Sequence, residues 1–558
     1  MGTAPAARRL TRDARIRIAE RWIGAFAAAA VTAITAYVSV RIWTVISGHY
    51  PLADRLIGVL LLGADLFLCV HSLGFMTSVV KARRQVPPPL FGRHSTTPVA
   101  VIVASFNESA EVLEPTIASV MAMDYPVMRV YLLDDSTRPE CYEGTARLAE
   151  KYGITLVHRT NRVGYKAGAL NDLIPRLSEP YIAVLDADQR PGEGWLKEVI
   201  PCLEQDPRVA FVQLPQVYIN SEFRVARVTA YQQGPFYEYI GEGKSPSNAM
   251  FCCGSNVVLR RSALLSVGCD IDGRHQLFDE TSVTEDFATS LKLHVAGWRS
   301  VYLNRRLVVG MGPETLPAYF TQHTRWARGT LGVGLKALRL FLRRPSALTP
   351  GQWWEYFLSC SYYLMGLVNL AFILAPITCI AFGVRPVWGH GLIYLLIYLP
   401  YVGFALQFFL LSMSSRGYPR HGMWLATALT FATFWIYIKA AGVAFFGLKR
   451  GFGVTPKGVG GSIPVLSMPV ELAMCVASIT AAVVGLVEFV FVDSDIGHLV
   501  NVLWAGYQGA TLSMLFLYFN RPVTIVEPVS LFERARLMQR APVRRAAALP
   551  EAPALSAR

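Results

Sequence analysis

Two groups of long apolar runs flank a segment that has none, and this segregation is the strongest constraint on how the chain can fold. Residues 22–47 and 56–80 are each long enough to cross a hydrocarbon core of about 30 Å. From 98 to about 306 no such run occurs, and acidic and basic residues are mixed throughout. Beyond it, apolar stretches return at 356–382, 391–413, 423–448, 468–492 and 498–519. Such a chain places one water-facing domain between two sets of membrane helices. Only 16% of its 558 residues are charged, against roughly 25% in soluble domains. The apolar and aromatic mass excludes a disordered chain.

The net charge of +14 suits nucleic acid, a membrane surface or phosphorylated substrates. Its distribution decides among them. Arg8, Arg9, Arg12, Arg15, Arg17 and Arg21 precede the first run, which marks 1–21 as a cytoplasmic tail and 22–80 as two uncleaved transmembrane helices. The soluble domain, 98–310, then shares the side of the N-terminus. The tail 520–558 is also rich in Arg and is expected inside, yet five later crossings would place it outside. Basic residues flank the 423–448 run, and Lys439 lies within it. An amphipathic interfacial helix at 421–448 is therefore expected, with four crossings in the rest of 356–519. This describes a multi-pass protein of the inner or plasma membrane with both termini cytoplasmic and the bilayer as a partner. The nine Cys form no C-x-x-C pair, which fits a reducing compartment.

Within the soluble domain, continuous apolar runs at 99–104, 128–133, 155–158, 181–185 and 209–213 read as buried strands. Helical stretches are expected at 110–121, 143–152 and 166–177. Alternating strand and helix implies a mostly parallel sheet that binds ligands beyond the carboxyl ends of its strands. Acidic residues sit at those ends.

Asp186 and Asp188, one residue apart after a strand, suit either a hard divalent cation shared with phosphates or a turn-capping pair. Asp134-Asp135 has the same two readings. Lys166, after Gly164 at a helix start, suits a phosphate or plain solvent. Thr284-Glu285-Asp286 precedes a helix, as a cap or as the carrier of a general base, Asp286. Gln322, Arg325 and Trp326 combine a pyrophosphate-binding guanidinium with a flat ring for sugar stacking, or they are ordinary interface residues. In the spans, Tyr394, Tyr398 and Tyr401 form a stripe suited to packing or sugar stacking. Asp65 and Glu488 are pathway candidates at membrane depth, and Arg41 is placed to reach an interface.

In order, Ser105-Phe106-Asn107-Glu108, Asp134-Asp135, Lys166-Ala167-Gly168, Asp186-Ala187-Asp188, Phe251-Cys252-Cys253-Gly254-Ser255, Thr284-Glu285-Asp286, and Gln322 with Arg325-Trp326 resemble the motifs of processive family-2 glycosyltransferases. Within that group of cellulose and hyaluronan synthases, the bacterial cellulose-synthase type is the most similar. Phe452-Gly453-Val454-Thr455-Pro456-Lys457 resembles the family's F-x-V-T-x-K gating loop, here 449–462. The resemblance spans about 98–520. It implies an α/β GT-A (nucleotide-diphospho-sugar transferase) domain inserted in an α-helical transmembrane bundle, with interfacial helices at 311–350. It also implies a UDP-sugar donor, UDP-glucose foremost, with Mg²⁺ or Mn²⁺.

Carried over, the resemblance places Ser105, Phe106, Glu108, Asp134 and Asp135 around the donor nucleotide. Lys166, Asp186, Gln322 and Arg325 complete the donor site, with Lys166 and Arg325 on the diphosphate. Asp188 and Asp186 bind the metal. Asp286, with Thr284 and Glu285 beside it, is the base. Trp326 stacks the acceptor sugar, Cys253 and Gly254 line its pocket, and Thr455 and Lys457 close over the nucleotide. The implied activity is inverting polymerisation of a β-glucan with translocation of the growing polysaccharide. The alternative is a non-processive transferase that glycosylates a lipid carrier. Nucleic acid drops out as a partner. Two positions depart from the cellulose-synthase pattern, with Gln189 and Gln216 where His is common. The 39 residues of 520–558 are too few for a PilZ domain, so no cyclic-di-GMP site of that type is expected.

Overall fold

The structure is a computed structural model that describes residues 4–47, 51–85, 95–271, 273–384, 391–446, 462–492 and 495–521. Thr455, Lys457 and most of the 520–558 tail lie outside the described residues. The water-facing domain is built on strands β1 (Val99–Ser105), β2 (Met128–Asp134), β3 (Thr155–His158), β4 (Tyr181–Asp186), β5 (Val209–Gln213), β6 (Val257–Arg260) and β7 (Arg299–Tyr302). They form one seven-stranded sheet in the order β7-β5-β6-β4-β1-β2-β3. β6 runs antiparallel to β4 and β5, and the other neighbours are parallel.

The five expected strands form where the apolar runs lie. The expected helices shift at their ends for chemical reasons. One begins early, at Pro139, because proline suits a first helical turn whose N–H groups are unpaired anyway. Another runs Tyr165–Leu173 and tightens into the 3₁₀ turn Ile174–Arg176, where Pro175 has no N–H to continue it.

Side chains of β1 alternate between two cores, as a pleated strand requires. Val99, Val101 and Val103 pack with Leu113, Ile117 and Leu196 on one face. Ala100 and Ile102 pack with Leu170, Leu173 and Leu264 on the other. Burying each such Val, Leu or Ile contributes about 1.5–3 kcal/mol. Register then aligns the functional edge, with Ser105 opposite Asp134 and Ala104 opposite Asp186.

Among the described residues, five helices are long and apolar enough to cross a bilayer: Glu20–Ser47, Leu52–Arg84, Pro350–Phe382, Tyr394–Ser415 and Pro469–Phe491. The 498–519 run is also helical, as Ile496–Met514 continued by Leu515–Phe519, but it is not among these five. In place of one helix over 421–448 there are two, Arg420–Ala432 and Phe434–Phe446, bent by 48°. The break falls at Thr433, whose hydroxyl turns back onto the Leu429 carbonyl at 2.8 Å. The second half then packs Ile436, Tyr437 and Ala440 against Ala327 of the helix Leu316–Arg343.

Arg41 does not reach an interface. It is 2% exposed, and its Nε donates to Asp65 Oδ2 at 3.2 Å, where the Tyr37 hydroxyl also donates at 2.8 Å. Pairing is what makes two such charges tolerable at this depth. Tyr37 stacks on Tyr401, and Tyr394 stacks on Tyr398, so the tyrosine stripe is largely used in packing. Glu488 faces His498 Nε2 at 3.5 Å.

The short helix Gly241–Lys244 of the water-facing domain is tied to the helices Leu52–Arg84 and Pro350–Phe382 through the buried Glu355. Lys81 Nζ and Lys244 Nζ donate to the two oxygens of Glu355 at 2.8 and 3.0 Å. Gly243 permits this approach, since a Cβ there would lie 2.7 Å from the Ser78 Cα.

Candidate active site

The cleft opens at the carboxyl ends of β1, β2 and β4, where side chains leave the sheet and backbone hydrogen bonding ends. Ser105 closes β1, and its Oγ is buried without a partner. Phe106 follows, covered by the Arg162 guanidinium at 3.7 Å from the ring centroid. Glu108 is half-buried in the next turn. Asp134, fully buried, accepts from the Ser136 hydroxyl at 2.7 Å and meets His158 Nδ1 at 2.9 Å. Asp135 is held bidentately by Arg159, at 2.8 and 2.6 Å. Its carboxylate is thereby committed to a structural ion pair.

Lys166 starts its helix and reaches across the cleft floor. Its ammonium pairs with Asp186 and donates to the Gly254 carbonyl at 2.7 Å. Burial disfavours the ammonium, but Asp186, Glu285 and Asp286 more than offset this and raise its pKa. Asp188 is buried one turn beyond, close enough to Arg190 and Tyr218 for its charge to act on both. Next to it, Gln189 Oε1 is buried without a partner.

Thr284, Glu285 and Asp286 begin the helix Glu285–Val295. Burial is the main reason the Asp286 carboxyl is pushed up to about 7, with the neighbouring Glu285 carboxylate second. Glu285 is raised by the same burial. Asp286 faces the Phe251–Ser255 loop, where Gly254 has φ 78° and a Cβ would lie 2.9 Å from Asp286 Oδ2. Glycine is needed there for both the left-handed backbone and the approach. Cys253 stands beside it, its thiol held well above the usual range by burial and then by Asp286.

One face of the helix Leu316–Arg343 closes the opposite side. Gln322 reaches the Tyr218 hydroxyl, and its Oε1 is buried without a partner. Arg325 lies close enough to lower the pKa values of Glu285 and Asp286. One helical turn on from Arg325, Gly329 makes the fit possible, because a Cβ there would meet Thr284 Cγ2 at 2.4 Å. Trp326 is half-buried, 5.1 Å from the His323 ring.

The cleft thus brings Lys166, Asp186, Gly254 and Asp286 together, with Arg325 and Gln322 across from them. Sequence reading missed Arg159, Ser290 and Gly329. Arg159 and Ser290 act through contacts distant in sequence, whereas Gly329 is legible once the Gln322–Arg325 helical face is extended by another turn. Among the described residues no three His, Cys, Asp or Glu side chains converge on a metal-sized site. Asp186 and Asp188 are a hard-oxygen pair suited to a cation that takes its other ligands from a diphosphate and water.

Residues 181–441 match the model of a family described as Glycosyl transferase family group 2. Over these residues the chain is similar to that family. The match begins at β4 and takes in Asp186, Asp188, Asp286 and Arg325. The chain is 28% identical over 450 residues to a cellulose synthase catalytic subunit [UDP-forming] of Pseudomonas fluorescens, covering 78% of this chain and 58% of that protein. It is 32% identical over 285 residues to the protein of the same description from Xanthomonas axonopodis pv. citri, covering 50% of this chain and 37% of the relative. The chain therefore spans little more than half of one relative's length and about a third of the other's. Among solved structures, a mannosyltransferase from Pyrobaculum calidifontis, in complex with GDP-Man and Mn²⁺, aligns with 19% identity and a TM-score of 0.49. That alignment covers 70% of this chain and all of the other, too loosely to transfer anything. The α/β domain with its mixed seven-stranded sheet, set among long apolar helices, is the architecture that the motif order implied.

Proposed function

We propose that this protein polymerises a β-glucan from UDP-glucose by inverting transfer and passes the product between its membrane helices. The observation that carries this reading is the position of Asp286. It is an acid raised to about 7, beside the Lys166–Asp186 pair, inside a family-2 transferase domain. Asp286 takes the proton from the acceptor hydroxyl as that oxygen attacks C1 of the donor sugar. The bond from C1 to the diphosphate oxygen breaks, UDP leaves, and configuration inverts. A base tuned near the working pH is most effective in that role.

Lys166 and Arg325 hold the diphosphate, and Arg suits it through its planar fork. Phe106 and Glu108 border the nucleotide, with Ser105 and Gln322 supplying polar contacts. Asp186 and Asp188 would hold Mg²⁺ or Mn²⁺, which when bound stabilises charge on the departing UDP. Trp326 stacks the acceptor ring while Cys253 and Gly254 shape its pocket. In this reading both termini and the transferase domain face the cytoplasm, with six crossings of the cell membrane.

Incubating the purified protein with labelled UDP-glucose and digesting the product with linkage-specific glucanases tests the proposal. An insoluble product cut by a β-glucanase is expected. A label that extracts into organic solvent would instead support transfer to a lipid carrier.

A further inference from the structure

Four short hydrogen bonds converge on one loop that runs between the two sides of the cleft. The Cys252 N–H donates to Ser290 Oγ at 2.8 Å, and the Cys253 N–H donates to Gln213 Oε1 at 2.8 Å. Asp186 N–H donates to Ser255 Oγ at 2.9 Å, and Lys166 Nζ to the Gly254 carbonyl at 2.7 Å. Ser290 also donates to the Asp286 carbonyl at 2.7 Å, so the loop is fastened to the first turn of the helix that carries Asp286. Gln213, the last residue of β5, uses its Nε2 on the Leu214 and Ser255 carbonyls at 2.8 and 2.9 Å. Both Gln213 and Ser290 are fully buried, so their polar atoms serve the loop and not a ligand.

We infer that Gln213 and Ser290 are positioning residues, which fix the distance between Asp286 and the donor side through the Cys252–Ser255 backbone. The inference rests on the transferase reading. The contacts form a continuous path: Asp286 to Ser290, Ser290 to Cys252, the loop backbone to Ser255, and Ser255 to Asp186. Gly254 passes so close to the Asp286 carboxylate that the loop has no slack on that side. Losing the Ser290 hydroxyl leaves the Cys252 N–H without its acceptor and frees the loop to shift. A misplacement of about 1 Å costs on the order of 100-fold in a reaction that depends on aligned groups.

The test compares wild type, Ser290→Ala, Gln213→Met and Ser290→Thr in the purified full-length protein. UDP release from UDP-glucose is followed, and UDP affinity is measured separately. The expected result is a fall in kcat of roughly 30- to 100-fold in Ser290→Ala and Gln213→Met. The KM for UDP-glucose and the UDP affinity stay within about twofold, and Ser290→Thr, which keeps the hydroxyl, returns to within about fivefold of wild type. Turnover of Ser290→Ala within about threefold of wild type overturns the inference. So does a loss of UDP affinity in step with kcat, or a Ser290→Thr variant as impaired as Ser290→Ala. A wild type that binds UDP but releases none from UDP-glucose overturns the transferase reading, and this inference with it.

Discussion

At the junction with the membrane helices, Glu355 is 1% exposed and meets two lysines, Lys81 and Lys244. In the cleft, Glu285 and Asp286 stand side by side; burial raises the pKa of both, and the Glu285 charge raises that of Asp286 further. The two regions bury carboxylates with opposite results. At the junction every oxygen of the acid has a cationic donor. In the cleft, Ser105 Oγ, Gln189 Oε1, Thr284 Oγ1 and Gln322 Oε1 are buried without hydrogen-bond partners. An unmade buried hydrogen bond costs about 1–3 kcal/mol, so a fold retains a cluster of them where a polar ligand completes the set. The junction uses its charges to hold helices together, and in the proposed reading a substrate completes the polar atoms of the cleft.

The largest effect expected from this contrast is on chemistry. Asp286→Asn should lower turnover by about 10²–10⁴-fold, the range of a lost general base, while UDP binding persists. Retained turnover would remove Asp286 from its role. The next largest is on stability. Glu355→Ala leaves the buried Lys244 ammonium and the half-buried Lys81 ammonium without their carboxylate and should destabilise the protein by about 3–5 kcal/mol, read as a lower Tm in detergent. Asp286→Asn should leave Tm unchanged or higher, because it removes a carboxylate that burial and Glu285 both disfavour. If the two Tm effects are reversed, the contrast between the regions is broken.

Sequence patterning made the sheet legible wherever a strand was a continuous apolar run, as in Val99–Ser105 and Tyr181–Asp186. β6 and β7 were not among the expected strands, while β3, of the same four-residue length, was, so length alone does not decide legibility. The identity of the site acids was legible from motif order, but their partners were not. Nothing in the spacing of Asp135 announces Arg159, 24 residues away, and nothing around Arg41 announces Asp65. Such pairs are set by tertiary approach. The break at Thr433 was hidden for another reason, since the run 423–448 is apolar on both sides of it.

A smaller effect sharpens the comparison at the helix Leu316–Arg343. Gly329→Ala forces that helix away from Thr284 and carries Arg325 with it. A decrease of roughly tenfold in kcat/KM is expected from such a displacement, with Tm lowered by only a few degrees. Unchanged kinetics would detach that helix face from the cleft. The mildest test is pH. A base must be deprotonated to accept a proton, and Asp286 is raised to about 7. kcat/KM should therefore fall about tenfold per unit as pH drops below that value. Because Glu285 and Asp286 interact, the limb belongs to the pair. A profile flat down to pH 5 would contradict the raised acid.

In the proposed reading, a UDP-sugar and a divalent cation complete the polar atoms of the cleft. UDP release from UDP-glucose by the purified wild-type protein, measured before and after chelation and again after adding Mg²⁺, tests it most directly. Steady release that stops on chelation and returns with Mg²⁺ is expected. Absence of release, or release indifferent to the cation, would contradict it.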